Sequence, residues 1–347
     1  MRRGAIIGLG QAALHGHLPG WIGRDDAEIV AVTDPRPTQR AEAAARLPGA
    51  RWHDSAEALL AREAVDFVDI CTPPMSHADL IAAALRRGCH VLCEKPLVCS
   101  PGELERVRRL AAGAGRVLHT VHNWHHAPIL RRASELVRDG AIGPVQRVVW
   151  ETLRTRPAAT GDPARPSWRV DPAVAGGGVL TDHGWHVIYV LRRWLGEPLA
   201  VSATLERRRH LGWPVEDTAR IRLSFAEAAA EVLLTWAAEA RRNRVELTGA
   251  QGSLSLEDDT IVLARADGGP ARRWHCPPAL SDGSTHPDWF GPVADRFLAE
   301  VGGAAPPGDN LAEATACVLV EAAARESKGR MLPVARGLAG AWRDPAA

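Results

Sequence analysis

Over the first 120 residues, short apolar runs alternate with stretches in which apolar positions recur every three or four residues. The runs fall at residues 5–8, 29–33, 67–71, 90–93 and 117–121. Each has strand length and is rich in Val, Ile and other buried types. Helical patterns lie between them, at about 40–47, 56–61, 77–87 and 103–112, and several open on residues that cap helices, such as Ser55, Ser76 and Ser100. Strands alternating with helices predict a parallel sheet whose connections are right-handed crossovers.

The rhythm changes after about residue 125. A helix predicted over 129–138 ends at Asp139-Gly140, and a strand follows at 145–150. The Pro-, Gly- and Arg-rich passage 154–178 lacks a period and reads as a long functional loop. A helix is predicted at 183–195. Strand-like runs separated by turn signals then fill 201–276 with no long helix among them, which predicts an antiparallel sheet. Helices at about 293–301 and 311–327 complete the pattern.

Length adds that 347 residues suit about two domains. Composition is that of a globular protein, 46% hydrophobic and 24% charged. The 42 basic and 41 acidic side chains nearly cancel, leaving no positive field to hold a nucleic acid backbone. No run approaches the ~20 apolar residues of a membrane span. Met1-Arg2-Arg3 before an apolar stretch has the outline of a secretory leader, but glycines break the stretch and it reads better as a first strand. The six cysteines form no CxxC pair, which fits a reducing cytoplasm. Lys95 and Lys328 are the only lysines, and Tyr189 the only tyrosine beside twelve tryptophans. A lysine that persists against such a bias toward arginine invites a chemical explanation.

Gly8-Leu9-Gly10-Gln11-Ala12-Ala13 fits G-x-G-x-x-A at a strand-to-helix turn. The first glycine permits the turn, the second lets backbone approach a pyrophosphate, and the small Ala13 lets helix pack on strand. Asp34 ends the second strand, placed to accept hydrogen bonds from an adenosine ribose; this predicts NAD, with Arg36 close enough to leave NADP open. Lys95, in Glu94-Lys95-Pro96, ends the fourth run at the carboxyl edge, where a lysine can hold a substrate oxygen. Asp182 and His186 stand four apart, so on a helix start they share a face and the carboxylate can orient the imidazole for proton transfer; an Asp182 that merely caps a helix is the competing reading. Gly176-Gly177-Gly178 before them permits close approach to a ligand. His122-Asn123-Trp124-His125-His126 offers imidazoles, but no spacing matches a zinc signature such as H-E-x-x-H, so no metal is expected and substrate hydrogen bonding competes with plain packing. Trp124, Trp168 and Trp185 can stack on a sugar or simply fill the core. Arg154, Arg156 and Arg169 can bind an anion or form a solvated face.

These segments together resemble the glucose-fructose oxidoreductase / inositol dehydrogenase / rhizopine-catabolism (Gfo/Idh/MocA) family. The match is carried by the glycine loop with His17-Leu18-Pro19, Thr72-Pro73-Pro74 with Ser76-His77, residues 88–97 including Glu94-Lys95-Pro96, Gly140-Ala141-Ile142-Gly143, Trp168-Arg169-Val170-Asp171-Pro172 running into 176–186, and the C-terminal helix at 321–333. The resemblance implies an N-terminal Rossmann parallel sheet (residues 1–122) and a C-terminal α/β domain (123–347) with a large, mainly antiparallel open sheet that often forms an oligomer interface, giving a homodimer or homotetramer. It implies a nicotinamide cofactor held by Gly8, Gly10, Gln11, Ala12, Ala13, Asp34, Thr72, Pro73, His77, Glu94 and Lys95. It implies oxidation of a secondary alcohol on a sugar or cyclitol, with Lys95, Asp182 and His186 catalytic. Substrate contacts are expected from Lys95, His122, Trp124, Trp168, Arg169, Asp182, Trp185, His186 and Tyr189. The family usually has a second aspartate where Tyr189 stands. A redox-neutral enzyme that oxidises only transiently, and a non-catalytic cofactor-binding sensor, are the alternatives.

Overall fold

The computed structural model describes residues 1–159 and 167–335, so part of the passage 154–178 lies outside the described residues. The chain divides into two compact units: described residues 1–123 with 285–314, and 124–159, 167–284 and 315–335.

The first unit is built on a six-stranded parallel sheet of β1 (Arg2–Ile7), β2 (Ala27–Thr33), β3 (Arg51–His53), β4 (Phe67–Ile70), β5 (His90–Cys93) and β6 (Leu118–Thr120), in the order β3-β2-β1-β4-β5-β6. Five of the strands answer the five apolar runs. β3 has no such run, because an edge strand of three residues buries only His53 fully. The glycine loop leads through a π-helical turn, Ala13–His17, into α1 (Leu18–Trp21). Helices α2 (Gln39–Arg46), α3 (Ala56–Arg62), α4 (His77–Arg86) and α5 (Pro101–Ala114) cover the sheet. Ser55 and Ser100 cap α3 and α5, accepting from the Ala58 and Glu103 N–H groups. Ser76 does not cap α4; its hydroxyl turns to Pro73 O and Thr72 Oγ1.

The helix α9 (Gly291–Val301) belongs to this unit, which the boundary expected at 122/123 leaves out. Its Val293, Ala294 and Phe297, with Phe290 before it, join Leu14, Leu18, Trp21 and Phe67 in one buried cluster. Apolar periodicity announces such a helix but not the face that receives it.

In the second unit, α6 (Pro128–Arg138), α7 (Pro172–Ala175) and α8 (Trp185–Leu195) accompany a nine-stranded sheet. Its strands are β7 (Val145–Leu153), β8 (Ala200–Glu206), β9 (Thr218–Ser224), β10 (Ala229–Thr235), β11 (Arg242–Gly249), β12 (Gly252–Glu257), β13 (Thr260–Arg265), β14 (Arg272–His275) and β15 (Leu332–Pro333), in the order β14-β13-β12-β11-β7-β10-β9-β8-β15. All neighbours are antiparallel except β7 and β10. Alternation is clean: Ala219, Ile221 and Leu223 are buried, while Arg220 and Arg222 between them are exposed. α10 (Asp309–Ser327) supplies Asn310 and Glu313 to the first unit and Glu321 and Arg325 to the second.

Candidate active site

The order of the first sheet reverses between β1 and β4, and ligands of open parallel sheets bind beyond the carboxyl ends of the strands at such a point. Gly8, Asp34, Thr72 and Glu94-Lys95 follow β1, β2, β4 and β5 there. Gly8 has φ +94°, and a Cβ on it would lie 2.9 Å from Thr72 Cγ2, so conformation and crowding both demand glycine. A Cβ on Gly10 would meet no described atom within 4 Å, leaving open space where a pyrophosphate is expected. The residues present thus fit a dinucleotide.

Asp34 is buried, yet its carboxyl is held below the usual range. Burial pushes it up, but hydrogen bonds from the Arg36 guanidinium, the Arg36 N–H and the Leu9 N–H outweigh that. Oδ2 accepts from Leu9 N (2.7 Å) and Arg36 Nη2 (2.9 Å), and Oδ1 from Arg36 N (2.8 Å) and Nε (2.9 Å). All four acceptor positions are taken, so a ribose hydroxyl reaching Asp34 displaces a contact of the half-exposed Arg36.

His77 braces this region from beneath rather than presenting its ring. It is wholly buried, with Nε2 2.8 Å from Thr72 O and Nδ1 2.8 Å from Pro96 O, and burial holds its pKa below the ordinary histidine value. Glu94 likewise turns inward. Its Oε2 accepts the Lys95 N–H (2.9 Å), while Oε1 lies 3.0 Å from His17 Nε2. His17 Nδ1 is 2.9 Å from Asp69 Oδ2, which also accepts from Trp21 Nε1 (2.8 Å), and the ring stacks on Phe290 at 4.0 Å. His17, Asp69 and Cys71 have the grouping of a metal site. They are hydrogen-bonded to one another, and burial pushes the Cys71 thiol far up, away from the thiolate a metal needs.

Burial alone would lower the pKa of His17, but Asp69 and Cys71 raise it well above 6.5. A raised folded value means that the imidazolium stabilises the fold fully below pH ~6.5, and that this contribution is lost as pH climbs through the folded value. The thermal midpoint of the wild type is therefore expected to fall more steeply than that of His17→Gln as pH rises above ~6.5. Parallel curves would show that His17 is not charged.

In the second unit, Asp182 falls in the turn that precedes α8 and His186 on α8 itself. Residues Leu180–Gly184 make a π-helical turn before α8, and with i→i+5 bonding four residues fall short of a full turn. The Asp182 carboxylate lies 3.6 Å from Arg169 Nε and 3.8 Å from His183 Nε2. His186 Nδ1 lies 3.0 Å from Tyr189 Oη, and the Trp124 ring stacks on the imidazole at 4.5 Å. Tyr189 is wholly buried, so it faces His186 and the Trp124 N–H rather than solvent. Trp185 is a core residue, 1% exposed. Trp168 is half-buried beneath Arg169, whose guanidinium carbon sits 4.4 Å from the ring centre. His122, in the first unit, has Nδ1 3.0 Å from Glu313 Oε2. Arg154 is buried and donates to Leu153 O (2.8 Å) and Arg242 O (3.1 Å); burial and the nearby Arg241 push its pKa down to about 10. It is a brace, while Arg156 is exposed.

The glycine run serves the protein's own chain. Gly176 takes φ +79° to end α7. Glu216 Oε1 accepts the Gly178 and Leu180 N–H groups (3.1 and 3.2 Å), and Glu216 O accepts that of Val179 (3.1 Å). Arg325 Nη2 reaches Glu216 (3.1 Å), Glu321 (3.0 Å) and Thr181 Oγ1 (2.6 Å). Sequence reasoning missed Glu216 and Arg325 in this role; the i,i+4 pair Glu321–Arg325 was visible, but nothing linked it to glycines so far upstream.

Comparison with known proteins agrees with the two-sheet fold. Residues 2–122 match a family model described as an oxidoreductase family with a NAD-binding Rossmann fold, and residues 130–255 match the GFO/IDH/MocA C-terminal domain. The D-glucoside 3-dehydrogenase of Escherichia coli K12 is 31% identical over 214 residues, 60% of this chain but only 58% of that enzyme. The dTDP-3,4-didehydro-2,6-dideoxy-alpha-D-glucose 3-reductase of Streptomyces antibioticus is 31% identical over 262 residues, 74% of this chain and 75% of the reductase. An oxidoreductase from Thermotoga maritima superposes with a TM-score of 0.83 at 26% identity, covering 96% of this chain and 98% of its own.

Proposed function

Since this chain belongs to the Gfo/Idh/MocA family of NAD-binding oxidoreductases, we propose that it oxidises a secondary alcohol of a sugar, sugar derivative or cyclitol, or reduces the matching ketone. The observation that carries the reading is the glycine loop: its Gly10 faces open space beside Asp34 and, along the same strand ends, Lys95. The substrate class is supported by the relatives, a glucoside 3-dehydrogenase and a deoxyglucose 3-reductase, which by their names act on sugars.

When bound, the nicotinamide accepts or returns a hydride. In the oxidative direction His186 takes the hydroxyl proton at Nε2, its Nδ1 being engaged by Tyr189. Lys95 donates a hydrogen bond to the same oxygen and stabilises the charge that develops on it. The Glu94 carboxylate fixes the backbone from which Lys95 projects. Asp182, whose carboxylate lies beside Arg169 and His183, is the acid that orients His186 in this reading.

The test is absorbance of reduced cofactor during incubation with sugars, amino sugars, uronates and inositols, using NAD and NADP in turn. At least one polyol should yield NADH. Substrate consumed without NADH would replace this reading with a redox-neutral one, and inertness across the panel would end it.

The open sheet face carries exposed charges of both signs, with Arg222 opposite Glu231 and Arg244 opposite Glu257. Such a face can meet a copy of itself in register, which supports a homodimer or homotetramer; sedimentation of a monomer at micromolar concentration would count against it. All six cysteines are free, which supports a reducing cytoplasm.

A further inference from the structure

We propose that Arg325 is a positioning residue for the reaction: its guanidinium clamps the π-helical turn that carries Asp182 between α10 and the residues entering β9. The proposal rests on Asp182 assisting His186, as in the preceding subsection. A π turn is rare, and where one occurs it is often at a functional site. Here α10 supplies the groups that hold it. Cys317, Glu321 and Arg325 stand four apart and so share one face of α10. The Cys317 thiol donates to Trp185 O (3.5 Å), just past the far end of the turn Leu180–Gly184. Glu321 accepts the hydroxyl of Thr181, inside the turn. Arg325 Nη2 donates to Thr181 Oγ1 (2.6 Å), Glu321 Oε1 (3.0 Å) and Glu216 Oε1 (3.1 Å), and Nη1 donates to Glu216 Oε2 (3.4 Å).

Glu216 is the fixed end of the clamp. The next residue, Asp217, is wholly buried, and its backbone is tied to the sheet by an N–H to Glu206 O (3.0 Å) and by accepting the Trp236 N–H (2.7 Å). From this anchor Glu216 accepts the N–H groups of Gly178, Val179 and Leu180. The guanidinium fills the space that Gly177 leaves, since a Cβ there would lie 2.0 Å from Arg325 Nη2. One planar fork thus joins three elements, which the point charge of a lysine cannot do. The carboxylates bearing on that fork are Glu216, two residues before β9, and Glu321 on α10. Both meet the same nitrogen, so without the cation two like charges would face each other and one carboxyl would hold its proton to higher pH. Arg325 removes that alternative and gives the turn one hydrogen-bonding pattern across the neutral range.

Arg325→Met removes the charge and keeps most of the length. Turnover of the polyol found in the cofactor-absorbance screen should fall about 10- to 100-fold, the cost of a misplaced group, while NADH binding followed by fluorescence is unchanged. Arg325→Lys, which keeps the charge but not the fork, should lose turnover as well. The deficit of Arg325→Met should widen as pH rises from about 5 to 8, because a proton shared between Glu216 and Glu321 bridges them at low pH and is then lost. Adding Glu321→Gln, whose amide can donate to Glu216, should restore turnover and flatten that dependence. A residue that only stabilised the fold would lower the thermal midpoint and move neither. Amide hydrogen exchange needs no substrate: in Arg325→Met, residues 178–184 should exchange about tenfold faster or more, while β11 and β12 stay as in the wild type. Thr181→Val, which deletes the hydroxyl held by Arg325 and Glu321, should loosen the same amides and decides the matter if Arg325→Met does not fold. Unchanged exchange in the turn, or a deficit indifferent to pH and to Glu321→Gln, overturns the proposal. Full turnover in Asp182→Asn would instead overturn the parent reading and leave the exchange result standing, so the two failures are told apart.

Discussion

Gly178→Ala is expected to unfold or cripple the second unit, while the same change at Gly10 leaves the fold intact. A Cβ on Gly178 would sit 2.1 Å from Glu216 O and 2.9 Å from Glu216 Cδ. Neither can yield cheaply, because Glu216 O holds the Val179 N–H, and its carboxylate holds those of Gly178 and Leu180. Overpacking against backbone costs ~1–3 kcal/mol or more, and here it also breaks hydrogen bonds at the mouth of the turn that carries Asp182. The thermal midpoint should drop by several degrees (~4 °C or more) with loss of turnover. At Gly10 the added methyl meets no described atom within 4 Å, so the midpoint should hold and NADH affinity should fall as the methyl fills the cradle. Calorimetry and NADH fluorescence on the two variants check both halves. A Gly178→Ala protein as stable as the wild type would show that Glu216 does not pin this turn, and a Gly10→Ala protein with normal NADH affinity would move the cofactor elsewhere.

Lys95→Ala and His186→Ala should each lower kcat about 10²- to 10⁴-fold, the range of a lost proton-transfer or oxyanion-stabilising group. Neither should weaken NADH binding by more than a few fold, because the glycine loop and the Asp34–Arg36 pair are untouched. The His186 imidazole is packed against the Trp124 ring, so its alanine variant leaves a void; His186→Asn, nearer in size, separates lost chemistry from lost packing. Full turnover in either alanine variant would remove that residue from the mechanism.

Much of the architecture could be read from local pattern. The parallel strands showed because each buries a continuous apolar run, and the glycine loop showed because φ at Gly8 and the approach of β4 exclude any side chain. β3 and the parallel pairing of β7 with β10 did not show, since a three-residue edge strand carries too little hydrophobic signal and strand direction leaves no local trace.

The site divides along the same line. Residue types and spacings along the chain nominate Lys95, Asp182 and His186, and a dinucleotide at Gly8–Asp34, because those signals are contiguous. Partnerships are another matter. His17 meets Glu94 across 77 positions, Gly178 meets Glu216 across 38, and Asp182 comes within 3.6 Å of Arg169. Hydrogen bonds act over about 3 Å whatever the separation along the chain. Which groups come within that reach depends on how helices and strands pack, and so the contact of His186 with Tyr189 became visible only in the folded molecule.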